Sequence, residues 1–174
     1  MKASVIGVAG LLAASAIAAC GAEPGTAIQE AEISGGLVAQ VGSDDLALQG
    51  LGQRFHVRLL LDDPSTADKA QAAIDAAGLT GRLTASVWNG KRLPFADRVL
   101  NALVLAKPGH QVGEAEARRV LAPRGLLVTP AGVEKMPVPG TIDDWTHYLY
   151  DASGNAVSKD KEVAAPGSFR WGAA

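Results

Sequence analysis

The chain is short of cysteine, of aromatic residues and of net charge, and each shortage excludes something. Cys20 is the only cysteine in 174 residues, so there is no internal disulfide and no thiolate metal cluster. Aromatic residues make up 5 %, leaving the core to Ala, Val, Leu and Ile and fitting helices packed on a parallel sheet. A formal charge of −2 is too weak to name a partner, and it argues against nucleic-acid binding; the pair Lys91-Arg92 is too small a patch to reverse that. There is no Gly-x-Ser-x-Gly elbow and no Cys–His pair beyond Cys20 in the leader, so covalent catalysis finds no support. No internal repeat is visible.

What is present begins with a leader. Residues 1–22 read as a signal peptide: Lys2 is the only charge before Glu23, and Val5–Ala19 is apolar but short for a membrane span. Ile17-Ala18-Ala19-Cys20 resembles a bacterial lipobox, whose cysteine is acylated and becomes the mature N-terminus. Ordinary cleavage after Ala18 or Ala22 is the equal alternative, and an uncleaved anchor the third. The expected location is therefore exported, periplasmic or membrane-anchored, with membrane contact only through the leader or a lipid.

The remaining residues suit one domain with an ordinary core. Strands are expected at Leu37–Val41, Arg54–Leu61, Leu83–Val87, Val99–Leu105 and Gly125–Thr129. Helices are expected at Thr26–Ile33, at Asp44–Leu51 (a weak one) and at Gly113–Ala122, where Pro123 stops it. Between them Ser65-Thr66-Ala67-Asp68 forms a capping box, Ala67, Ala70, Ile74 and Ala77 mark one helical face, and Gly78 is a C-cap. This alternation predicts an α/β three-layer sandwich with a mainly parallel, Rossmann-like sheet over residues 23–130. Residues 131–174, rich in Pro and Gly, are expected to form an irregular tail with one short helix at Asp143–Leu149.

The stretch Leu37–Pro64 carries the most information. It reads strand, tight turn, helix, strand, then the acidic pair Asp62-Asp63, with Asp62 twenty residues after Gly42. A carboxylate at that distance is where nucleotide-binding α/β domains hold a ribose. The competing role for Asp62 is capping the next helix, for which Asp63 and Ser65 also qualify. Asp143, Asp144 and His147 have metal-ligand chemistry, but nothing nearby completes a shell, so no metal is expected; packing of the connector by Trp145, His147 and Tyr148 is the favoured reading.

Four segments together resemble the class I S-adenosylmethionine-dependent methyltransferases over roughly Gly35–Thr129. Val38–Gly42 matches the first motif's strand, and Leu61-Asp62 the strand-end acid that holds the ribose. Asn89–Asp97 looks like the "dG..LPf.d" segment near the adenine, and Arg119–Gly125 like the "RVLkPGG" signature. The resemblance implies cofactor-site positions at Gly42, Asp44, Asp62, Asn89 and Gly90, and implies S-adenosylmethionine as the ligand. It names no catalytic residue. The sequence departs from the family at the turn: Asp44 and Leu46 stand at the second and third glycines of Gly-x-Gly-x-Gly, Asn89 stands where an acid is frequent, and Arg124 replaces a glycine. Side chains there fill the methionine's space, and Asp44 sets a like charge near its carboxylate.

The order of leader, methyltransferase-like domain, Asp143–Tyr148 and Asn155-Ala156-Val157 further resembles the N-terminal region of exported bacterial proteins that continue into a pyrroloquinoline-quinone-type β-propeller. Phe169-Arg170-Trp171 resembles the start of the first blade. The implied partner is such a propeller or another exported protein. S-adenosylmethionine is a cytosolic cofactor that an exported domain would rarely meet. The expectation is thus a methyltransferase-like module with a degenerate, lost cofactor site and a docking or binding role. The alternatives are a functional methyltransferase of unknown acceptor, since methyl transfer depends largely on alignment, and a binder of another nucleotide through Asp62.

Overall fold

The computed structural model describes residues 23–106 and 111–161. The leader, Cys20, His110 and Phe169–Trp171 lie outside them. The described residues fall into two units, one running to Met136 and the other beginning at Pro137.

The first unit is a six-stranded sheet in the order β3-β2-β1-β4-β5-β6. The strands are β1 (Gly36–Val41), β2 (Phe55–Leu61), β3 (Leu83–Val87), β4 (Leu100–Leu105), β5 (Leu121–Thr129) and β6 (Gly132–Lys135). The first five are parallel and β6 returns antiparallel on β5. Helices α1 (Pro24–Glu30) and α2 (Pro64–Ala76) cover one face, with a core of Ile28, Val38, Leu59, Ile74, Val104 and Leu126. Helix α3 (Glu114–Val120) and the segment 88–99 cover the other, over Ala39, Val41, Leu103, Val120 and Leu127. This is the expected three-layer α/β sandwich.

Several local expectations are corrected. In place of a helix at Asp44–Leu51 there is one 3-10 turn, Ala47–Gly50. The buried Gln40 amide holds the carbonyls of Ser43 (3.1 Å) and Asp45 (2.9 Å), which keeps the turn extended, while Leu48 and Leu51 plug the core. The cap of α2 is Asp63, not Ser65: its carboxylate accepts from the Thr66 N–H at 2.8 Å and the Thr66 hydroxyl at 2.7 Å. Ala77, expected on the buried face, is the exposed C-cap residue, while Ala67, Ala70 and Ile74 are buried as read. The sheet continues past Thr129 into β6, whose Val133 packs on one face and Met136, just beyond it, on the other. Residues Asp143–Leu149 form no helix. Instead the Thr146 and His147 N–H groups both donate to the Tyr150 carbonyl, closing a tight turn.

Gly78 ends α2 as read, at φ +68° with the Leu79 N–H returning to the Ile74 carbonyl. At the outer edge of β3, Gln71 of α2 accepts the Ala85 N–H at 2.9 Å. Ala122–Gly125 interrupts the β4–β5 register: Leu100 pairs with Leu121, then Ala102 with Leu126.

The Asp63 cap yields a pH prediction. The Thr66 hydroxyl, then the Thr66 N–H, hold this carboxyl below its ordinary 3.8. A depressed value means that the cap's stabilisation is complete above pH 3.8 and is lost as pH falls through the folded value. Asp63→Ala is expected to lower the melting temperature at pH 7, and the gap to the unmodified protein should close under strong acid. Thermal melts across pH 2–7 check it.

In the second unit, Asp143 accepts from the Tyr150 hydroxyl and, at 2.9 Å, from the Lys159 N–H. The Trp145 and Tyr150 rings meet edge to face at 5.6 Å. Tyr150 is the buried aromatic of the connector; Trp145 is 56 % exposed and Tyr148 95 %.

Candidate cofactor cleft

Three neighbouring parallel strands end together. Gly42 follows β1, Asp62 follows β2 and Trp88-Asn89-Gly90 follow β3. The ladder runs one residue past β1 and β3: the Gly42 N–H donates to the Leu60 carbonyl at 3.0 Å and the Trp88 N–H to that of Leu61 at 2.6 Å. Gly42 sits at φ +79°, a left-handed conformation that favours glycine, and turns the chain off the sheet. Over these ends lies a cavity of about 150 Å³, lined by Val41, Gly42, Leu60, Asp62, Trp88, Asn89, Gly90 and Gln111. It sits on the carboxyl side of the sheet beside β1, the strand from which the order runs outward in both directions, where open α/β sheets bind ligands. The cavity is smaller than the ~300–1,000 Å³ of most small-molecule sites.

Four of the five positions named from sequence therefore meet at one cleft: Gly42, Asp62, Asn89 and Gly90. Asp44 is exposed and is not among the lining residues. Leu46 is half-buried and packs with the core under the α1–α2 face. Because Asp63 caps α2, the Asp62 carboxylate is left exposed at the cleft.

Sequence reasoning missed three contributors. Trp88 forms a wall, with its indole N–H on the Arg92 carbonyl at 2.8 Å; an aromatic at a strand end was the available signal. Gln40 fixes the turn after Gly42, and a lone amide among apolar strand residues was a hint. Gln111 stands in a loop with no pattern to mark it.

The wall formed by the segment after β3 is fastened to α3. Glu116 Oε1 accepts the Leu93 N–H at 2.7 Å and pairs with Arg119 at 2.6 Å. Arg119 also reaches the Phe95 carbonyl at 3.1 Å, the Leu93 carbonyl at 3.3 Å and Asp97 at 2.5 Å. The Arg119 hydrogen bonds hold the Glu116 carboxyl below the usual range; Glu116 and Asp97 in turn raise the guanidinium's value.

Among the described residues, no group of three or more His, Cys, Asp and Glu is placed to hold a metal ion. His56 is an exposed residue of β2 whose Nδ1 lies 3.1 Å from the Gly81 carbonyl. No described helix is long and apolar enough to cross a membrane.

No family model and no curated protein matches the sequence. Solved structures do match the fold. One is a SAM-dependent methyltransferase from Aquifex aeolicus, with TM-score 0.51 and 18 % identity, covering 62 % of this chain and 62 % of that one. A geranyl diphosphate C-methyltransferase from Streptomyces coelicolor, in complex with Mg2+, geranyl diphosphate and S-adenosyl-L-homocysteine, gives TM-score 0.52 at 16 % identity over 60 % of this chain and 43 % of that one. The fold is that of the class I S-adenosylmethionine-dependent methyltransferases. A [4+2]-cyclase, SpnF, matches comparably, with TM-score 0.51 and 17 % identity over 60 % of this chain and 42 % of its own, so the fold alone does not name a reaction. The chain spans 42–62 % of the length of these three structures.

Proposed function

We propose that this is a methyltransferase-like binding module of an exported protein, whose cleft keeps a hold on the adenosine end of S-adenosylmethionine-type ligands and has lost its hold on the methionine end. The observation that carries this reading is the turn after Gly42. An α-helix starting there would offer free backbone N–H groups to the ligand's carboxylate. Here there is a single 3-10 turn, Gln40 binds the turn's carbonyls, the Ser43 hydroxyl takes the Asp45 N–H at 3.2 Å, and two exposed carboxylates, Asp44 and Asp45, stand in the same turn. The cavity is lined by Asp62, Asn89 and Gly90 and not by Asp44 or Asp45. On the other side Gly42, Asp62, Asn89 and Gly90 line one cavity, which supports reading it as the adenosine end.

The test is calorimetric titration of adenosine, S-adenosylhomocysteine and S-adenosylmethionine into the full chain. The three are expected to bind within about tenfold of one another, at dissociation constants of roughly 0.1–1 mM, a few kcal/mol short of a working cofactor site. Micromolar S-adenosylmethionine binding with a 100-fold preference over adenosine would instead support a functional methyltransferase, and a search for its acceptor would follow.

Export and a partner within the exported assembly, a β-propeller domain or another exported protein, belong to the same proposal. They rest on the leader pattern and on the connector motif. The mass of the mature N-terminus tests the first: a lipid on Cys20 or a free terminus at Ala19 or Glu23 supports it, and an intact Met1 in the cytosolic fraction sinks it.

A further inference from the structure

Two segments far apart in sequence are tied by one side-chain pair. Asn89–Asp97, which supplies a wall of the cleft, is a segment with no helix or strand of its own. It is fastened at its middle to α3 and the end of that helix. Leu93 gives its N–H to Glu116 and its carbonyl to Arg119, Phe95 gives its carbonyl to Arg119, and Asp97 its carboxylate. The Arg98 and Val99 N–H groups then bond the Arg119 and Val120 carbonyls at 2.8 and 2.9 Å. Glu116 grips two nitrogens of the same guanidinium, at 2.8 Å to Nε and 2.6 Å to Nη2, so the fork cannot rotate. The side chains of both residues are less than one-fifth exposed. From this anchor the constraint passes to the cleft through two contacts: Leu93, buried at 2 % exposure, and the Arg92 carbonyl that takes the Trp88 indole N–H. Neither Glu116 nor Arg119 lines the cavity.

We propose that Arg119, oriented by Glu116, is a positioning residue that presets the Trp88–Gly90 wall of the cleft in the ligand-free protein. The proposal rests on the adenosine-cleft reading for its effect on binding. The ordering of the wall is independent of it. A loop without helix or strand would otherwise have to be ordered by the ligand, and that entropy would come out of an affinity that is already low. Lysine cannot replace the residue, because a single ammonium cannot reach Glu116, Asp97 and two carbonyls together.

The experiment follows the Trp88 indole N–H by NMR hydrogen exchange in ligand-free full-length protein, beside the amides of β1 and β4, in Arg119→Ala and Arg119→Lys. The indole is expected to exchange about 100-fold faster in both variants while the β1 and β4 amides keep their protection, the mark of local rather than global opening. Adenosine affinity should fall about tenfold in parallel. Unchanged indole exchange overturns the proposal, and so does acceleration of indole and sheet amides together in Arg119→Lys, which would make the clamp a stability element only. If Arg119→Ala fails to fold, Arg119→Lys alone decides. If adenosine binds neither protein while the indole is released, the positioning stands and the adenosine reading of the cleft fails.

Discussion

Gly125→Ala is expected to destabilise the protein by about 2–3 kcal/mol. A Cβ at this position would lie 2.8 Å from the Ala122 carbonyl oxygen, 3.1 Å from that of Leu100 and 3.3 Å from that of Asn101. All three are backbone atoms of the interruption where β5 re-registers against β4, so no rotamer change relieves the clash. The Met136 N–H also donates to the Gly125 carbonyl at 2.7 Å, and the Arg124 N–H to the Met136 carbonyl, so a shift of Gly125 breaks the join to the strand beside it. For a chain of this size the loss corresponds to a melting temperature lower by roughly 6–10 °C. The neighbouring position gives the opposite sign. Arg124 sits at φ +63°, which strains a side-chain-bearing residue. Arg124→Gly is therefore expected to stabilise by about 0.5–1 kcal/mol. Urea unfolding of both variants checks the pair, and equal effects of one sign would refute this account of the bulge.

The second large effect concerns the cleft. Asp62→Ala is expected to weaken adenosine binding about 10- to 100-fold, because hydrogen bonds to a charged group contribute ~1.5–3 kcal/mol. Asp62→Asn, which keeps an acceptor but removes the charge, should fall between. Neither should change the melting temperature by more than about 2 °C, since Asp63 caps the helix and Asp62 is exposed. Adenosine and 2′-deoxyadenosine titrations separate the outcomes: if Asp62 holds the ribose, the unmodified protein prefers adenosine and the Ala variant does not discriminate. An unaltered affinity in Asp62→Ala would remove the carboxylate from the site.

What the sequence made legible was the sheet and the place where three of its strands end. Strand-length segments rich in Val, Leu and Phe, such as Arg54–Leu61 and Val99–Leu105, declare strands, and the structure places them within one residue of those bounds. Gly42, Asp62, Asn89 and Gly90 could be brought together from strand order alone, because each follows a strand and the three strands are neighbours. Residues whose role is set by tertiary contacts were not legible. Asp44–Leu51 read as a weak helix, yet a carboxamide from the preceding strand decides the conformation. Arg119 read as one letter of a signature; its work is done on a segment over twenty residues away. The four residues of β6 are too few to show an alternation. In the connector, Asp143 takes hydrogen bonds from Tyr150 and from the Lys159 backbone, a closure across the chain that no helical or strand period encodes.

Gln71 has a consequence for association between molecules. The outer strand of an open sheet is a template on which a second chain can lay its own strand, and parallel sheets offer every other amide for that purpose. In β3 the Leu83 N–H is turned back to the Leu79 carbonyl and the Ala85 N–H is engaged by the Gln71 carboxamide. A recruiting strand would have to displace a side chain held on a thirteen-residue helix before it could bond the Ala85 N–H. One carboxamide thus makes that border of the sheet a poor seed for strand-by-strand growth, and this protection stays with the folded domain wherever it is delivered and however crowded it becomes.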